Sequence, residues 1–93
     1  MTDLAQRREL LEQVRGLLTE LVREPREPHQ IDPDAPLFGS GLGLDSIDAV
    51  ELAIALQQAT GVEVPRGDRM HRALRTPNSL VDLVLELRAE QPS

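Results

Sequence analysis

Leucine and valine recur at three- and four-residue spacing early in the chain, at Leu10, Leu11, Val14, Leu17, Leu18, Leu21 and Val22. That period gathers them on one wide helical stripe and predicts a core-facing helix over residues 3–23, with Thr2 or Asp3 as its N-cap. The pattern then breaks. Pro25, Pro28, Pro33 and Pro36 exclude a regular helix, so residues 24–45 read as a long loop pinned to the core by Ile31, Leu37 and Phe38. A connection of that length in a small domain is uncommon and often functional. Periodicity returns at Ser46 and predicts a helix over 46–60, with Asp45 as N-cap and Gly61 as the stop. Val62 to Pro65 is a short extended link. A short helix is expected over 67–74, held by Met70, Ala73 and Leu74 and weakened by Gly67. Thr76-Pro77 opens a last helix over 77–90, with Leu80, Leu83, Val84 and Leu87 on one face. No segment alternates as a strand does, and there are no repeats. The expectation is an all-α chain, a small four-helix bundle of three main helices and a short third one, forming a single domain over residues 1–93.

The second helix departs from a simple amphipathic pattern. At about 100° per residue from Ser46, Ala49, Leu52, Ala53 and Leu56 gather on one side and Ile47, Val50 and Ile54 on another. Asp48 and Glu51 flank the second group. Only one stripe has to face the core. The first is the better choice, because alanines allow close helix approach and no acid interrupts that side. Ile47, Val50 and Ile54 are then expected to be partly exposed within an acidic rim, as in a transient protein contact. The alternative is a helix running through the middle of the bundle with both stripes buried.

Charge placement sharpens this picture. The net charge of −6 arises between His29 and Pro65, where Asp32, Asp34, Asp45, Asp48, Glu51 and Glu63 are interrupted by no arginine or lysine. The remainder of the chain is balanced. A nucleic-acid partner is not expected, since phosphate neutralisation needs a basic face. A basic protein surface is the better candidate, against a plain solvated acidic loop. The first residues lack a signal peptide's apolar core, and no apolar run approaches the ~20 residues of a membrane span, so a cytoplasmic location is expected. The 93 residues include no cysteine, which removes disulfides, thiolate zinc sites and a thiol nucleophile. Phe38 is the only aromatic residue, too few for a base-stacking platform.

Ser46 is the residue with a chemical question attached. Its plainest role is a helix-start hydroxyl beside Asp45. A nucleophilic serine needs a base, and the two histidines, His29 and His71, have no motif support. The surroundings are not the G-x-S-x-G elbow of hydrolases. The GSGLG run lacks the lysine of a phosphate-binding loop, and Asp32-Pro33-Asp34 cannot open a calcium loop. Two distant histidines make no metal site.

The stretch GLGLDSIDAVELAIAL, followed by Gly61, Glu63 and Pro65, resembles the attachment region of acyl carrier proteins, in which Asp-Ser-Leu opens the second helix. Helix order, loop length and chain length are also similar. The resemblance implies a non-catalytic carrier subunit with 4′-phosphopantetheine on Ser46, taken from coenzyme A, holding acyl groups as thioesters. It implies that Asp45, Asp48 and Glu51, with Ile47, Val50 and Ile54, meet partner enzymes. Those partners are a phosphopantetheinyl transferase, then ketosynthase, ketoreductase, dehydratase and acyl-loading enzymes, visited by a carrier that is monomeric alone. A cargo chain folding back between the second and third helices would meet Met70 and Leu74, which can adapt to it because methionine fills irregular space; the alternative is ordinary core packing. Ile47 stands where leucine is commonest, and the G-G-H/D-S-L pattern of peptidyl carriers is missing. The third helix carries Arg66, Arg69, His71 and Arg72 where bacterial fatty-acid carriers are acidic. The basic third helix points to a dedicated pathway partner, and the LFGSGLGLDSID run with MHRAL following is most similar to the standalone carriers of aryl polyene and related polyketide-like pathways. Two other readings stay open: an unmodified acidic helical interaction module and a peptidyl or aminoacyl carrier.

Overall fold

A computed structural model describes residues 4–22, 27–39 and 41–90. The element order is α1 (Leu4–Leu21), a 3-10 turn (Pro28–Gln30), α2 (Ser46–Thr60), α3 (Asp68–Ala73) and α4 (Pro77–Glu90), with no strand among the described residues. The fold is an all-α bundle of four helices, as the hydrophobic spacing predicts. The N-cap expected at Thr2 or Asp3 lies outside the described residues, as does Arg23.

Leu10, Val14 and Leu18 form the buried seam of α1. They pack against α2, α4 and the 3-10 turn. Each such leucine removed from water contributes roughly 1.5–3 kcal/mol. Leu11, Leu17, Leu21 and Val22 lie at the edge of the same core, so the wide stripe read from the sequence is a fully buried seam with half-buried flanks. Arg7 ties α1 to α4 through Asp82 at 2.6 Å, and Arg15 Nε donates to the Ile31 carbonyl at 2.9 Å.

The described part of the long loop is held by the core and by the start of α4. Ile31 and Leu37 are fully buried, while Phe38 is only half-buried. Leu42 and Leu44 are buried as well and add two anchors that the loop's composition hides. The Asn78 backbone N–H, one of the donors left over at the start of α4, donates to the Pro33 carbonyl at 2.9 Å. The Asn78 side-chain amide donates to Asp34 at the same distance. Leu44 N–H donates to the Leu37 carbonyl and Leu37 N–H to the Arg75 carbonyl, each at 3.0 Å. These bonds set the residues before α2 beside those after α3. Gly41 allows the fold-back: a Cβ there would sit 1.9 Å from the Pro36 carbonyl oxygen.

α3 is shorter than expected. It begins at Asp68, after Gly67, which serves as its N-cap at φ +79° and is therefore outside the helix it was expected to weaken. Leu74 follows the helix in a non-helical conformation. Met70 and Ala73 are buried against α4, and Arg69 bridges to Glu86 and Glu90 on that helix. That pairing holds the Arg69 guanidinium further towards its charged form and holds the Glu90 carboxyl below its ordinary range, chiefly through the hydrogen bond between them. In α4, Thr76 Oγ1 accepts from Ser79 N–H at 3.1 Å, so Thr76 caps and Pro77 takes the first position.

Candidate functional site

The site is built at the junction between the loop and α2. Asp45 is the N-cap, extended at φ −115° and ψ −174°. Its carboxylate accepts from Asp48 N–H at 2.9 Å, while the Asp48 carboxylate accepts from Asp45 N–H at 3.0 Å. This reciprocal pair is a capping box with aspartate in place of the usual glutamate. Two of the acids expected to meet partners therefore also fix the start of the helix. Glu51, one turn further, is exposed and takes no part in the cap.

Ser46 is the first residue of α2 and is exposed. The plain role of a capping hydroxyl is already filled by Asp45. Among the described residues the Ser46 side chain has no hydrogen-bond partner, and neither His29 nor His71 bonds to it. An uncommitted hydroxyl at the positive end of a fifteen-residue helix suits the addition of a phosphate group. The residues present therefore fit a serine-linked phosphodiester. No cluster of potential metal ligands occurs among the described residues, and none of their helices is long and apolar enough to cross a membrane.

Below Ser46 the two stripes of α2 separate, but not quite as expected. Leu52 and Leu56 are fully buried and make the core contact. Ala49 and Ala53 are only half-buried, because they floor a groove between α2 and α3 instead of meeting a close-packed helix. Ile47, Val50 and Ile54 are 69 %, 61 % and 54 % exposed, a continuous apolar ridge along the surface. Helical angles place Glu51 and Asp48 beyond this ridge and Ala53 and Ala49 before it. The ridge therefore has the groove on one flank and the acids on the other.

The groove encloses about 710 Å³, within the range of small-molecule sites. Met70 and Leu74 lie along it, Met70 buried and Leu74 half-buried. So do Gln57, Gln58, Arg66 and His71, polar groups to which the sequence reading gave no place there. The signal for Gln57 and Gln58 was available: they follow Ala53 and Ile54 at helical spacing. The signal for Arg66 was not, since its position depends on the turn after α2. Arg72 belongs to the opposite surface of α3, beside Asp82 and Glu86, so the basic third helix is split between two faces.

Comparison with known proteins agrees with this geometry. The family described as "Phosphopantetheine attachment site" matches residues 12–84. The acyl carrier protein of Thermosynechococcus vestitus is 33 % identical over 82 % of this chain and 88 % of its own length. Acyl carrier protein 2 of Ralstonia nicotianae is 37 % identical over 87 % of this chain and 94 % of its own. The D-alanyl carrier protein of Bacillus velezensis is 32 % identical over 86 % and 99 % respectively. No solved structure matches the chain significantly. The matched region contains the exposed helix-start serine, the groove and the ridge, and the chain belongs to the acyl carrier protein family, whose members bind 4′-phosphopantetheine covalently.

Proposed function

We propose that Ser46 is the attachment point of 4′-phosphopantetheine and that the chain is a non-catalytic carrier of acyl intermediates. The observation that carries the assignment is the division of labour at the helix start. Asp45 and Asp48 do the capping and leave the Ser46 hydroxyl exposed and uncommitted. In the loading step Ser46 Oγ attacks the pyrophosphate phosphorus of coenzyme A nearer the pantetheine. A phosphodiester forms, adenosine 3′,5′-bisphosphate leaves, and the hydroxyl proton passes to a base on the phosphopantetheinyl transferase. Once attached, the arm supplies a terminal thiol that holds the cargo as a thioester. The protein's own residues then present the arm: the cap fixes where Ser46 points, and Ile47, Val50, Ile54, Asp45, Asp48 and Glu51 form the docking surface.

The partners in this reading are the transferase and the acyl-loading, ketosynthase, ketoreductase and dehydratase enzymes of a fatty-acid or polyketide-type pathway. Aryl polyene synthesis is the specific case suggested by the GLGLDSID run and the basic third helix. Brief, steered contacts with several enzymes suit a small ridge with charge on one flank. A cytoplasmic, monomeric carrier over residues 1–93 completes the proposal. The D-alanyl carrier among the relatives supports a second reading, an aminoacyl cargo on the same serine.

Intact mass spectrometry after incubation with coenzyme A, magnesium and a promiscuous phosphopantetheinyl transferase tests the assignment. The wild-type chain is expected to gain one phosphopantetheine and Ser46→Ala none. A wild-type chain that gains no mass would sink the proposal.

A further inference from the structure

The groove between α2 and α3 has a charge at odds with the rest of the protein. The chain carries 16 acidic residues against 10 arginines, yet no acid among the described residues lines this groove. Arg66 and His71 line it instead. Arg7, Arg15 and Arg69 each have a carboxylate partner, whereas Arg66, like Arg8, Arg72, Arg75 and Arg88, has none among the described residues; of these unpaired arginines Arg66 is the one that lines the groove. Its place at the edge of an apolar groove, with no acid beside it there, leaves this guanidinium available to an anion.

The groove has a direction. Ser46, Val50, Ala53 and Gln57 lie on one stripe of α2, so the path down the groove starts beneath the serine. From Ser46 to Gln57 it runs about 16 Å at the helical rise. α3 runs the other way beside it. Its C-terminal end sits by the start of α2, through the Arg75–Leu37–Leu44 hydrogen bonds. Its N-terminal end sits by the last turns of α2, where Val64 N–H donates to Gln57 Oε1 at 3.0 Å. Arg66, two residues beyond Val64, therefore stands at the end of the groove far from Ser46. Gln57 spends its carbonyl oxygen on Val64 and keeps its amide N–H groups for a ligand. The floor between, made by Ala49, Ala53, Met70 and Leu74, is apolar.

An apolar floor that begins under the attachment serine and ends at an unpaired guanidinium and amide donors describes its occupant. We propose that this groove takes an acyl group that ends in an anion: a chain of methylenes or unsaturated carbons with a carboxylate, or a group of like charge, at the end away from the thioester. Arg66 is the specificity-determining residue. The carboxylate answers its charge, and the hydrocarbon between covers the alanines and Met70. A cargo ending in a methyl group would cover the same floor and leave Arg66 unpaired. The inference rests on attachment at Ser46.

Two six-carbon probes separate the cases. Hexanoyl- and adipoyl-coenzyme A are loaded onto wild-type protein and Arg66→Gln by a promiscuous phosphopantetheinyl transferase, and loading is confirmed by mass. Spontaneous thioester hydrolysis is then followed at low salt, together with the Arg66 Nε resonance. Each thioester is compared between the two proteins, so its intrinsic lability cancels. Adipoyl is expected to hydrolyse about two- to fivefold faster on Arg66→Gln than on wild type, the range of an exposed ion pair, and to shift the Arg66 Nε resonance in wild type. Hexanoyl is expected to behave alike on both. Arg66 is exposed and outside α3, so the substitution leaves the fold intact. Absence of loading overturns the Ser46 assignment. Normal loading with equal adipoyl hydrolysis on both proteins, or an unmoved Arg66 resonance, overturns the anionic cargo and leaves the attachment standing.

Discussion

α2 and α4 are of nearly equal length, 15 and 14 residues, and both are rich in aliphatic side chains. They use them in opposite ways. α4 buries Leu80, Val81, Leu83, Val84 and Leu87, and its acids Asp82, Glu86 and Glu90 pair with α1 and α3. α2 buries only Leu52 and Leu56 and leaves Ile47, Val50 and Ile54 in solvent. A helix that gives up that much apolar burial loses stability it could have had. α4 and the seam of α1 supply the core, which leaves α2 free to serve as surface. Composition does not separate a helix that fills the core from one that keeps an apolar ridge at the surface; what packs against it does.

Substitutions on the two helices should therefore diverge. The largest effect on stability is expected in α4: Leu80→Ala, or its α1 counterpart Leu18→Ala, should cost about 2–5 kcal/mol in urea unfolding. Next comes the loop that presents α2. Gly41→Ala forces a Cβ against Pro36 and should destabilise by more than about 1 kcal/mol, with part of the loss appearing as slower Ser46 modification because the entry into α2 shifts. Asp45→Ala should cost about 1 kcal/mol through loss of the cap, and amide exchange should rise in the first turn of α2. Ile54→Ser should change stability by less than about 0.5 kcal/mol while lowering kcat/KM for enzymes that act on the loaded carrier. If Ile54→Ser unfolds the domain as readily as Leu80→Ala, the contrast between the two helices is wrong.

The smallest effect is a pH dependence. The folded state holds Glu90 below the ordinary value of 4.5 because Arg69 donates to it, so the unfolded chain binds more protons at that pH. The contribution is complete above the ordinary value and is lost as pH falls through the lowered one. Thermal melts between about pH 5.5 and 3 should show a shallower acid loss in Glu90→Gln than in wild type.

Much of this was legible in the sequence for simple reasons. A helix of four or five turns samples the 3.6-residue period enough times to be read, so α1, α2 and α4 stand out. Caps are local chemistry, so Asp45, Thr76-Pro77 and Gly61 mark the ends they were expected to mark, Gly61 with its left-handed φ of +74°. The double stripe of α2 was also visible, because it depends on that helix alone. α3 was read too long, because six residues offer less than two turns of pattern and Gly67 serves a start as easily as it weakens an interior. The loop hid Leu42 and Leu44, since no period marks an anchor in irregular chain.

The sequence by itself determined the three long helices, the caps at Asp45 and Thr76, the stop at Gly61 and the choice of which apolar stripe of α2 to leave outside. Those features follow from neighbours along the chain. Tertiary structure alone decided that Ala49 and Ala53 floor a groove instead of touching a helix, that Arg69 is paired and Arg66 is not, and that Arg66 and Arg72 face different ways. Each of these depends on where α3 lies across α2 and α4, set by the Gly67 turn and by hydrogen bonds between residues far apart in sequence.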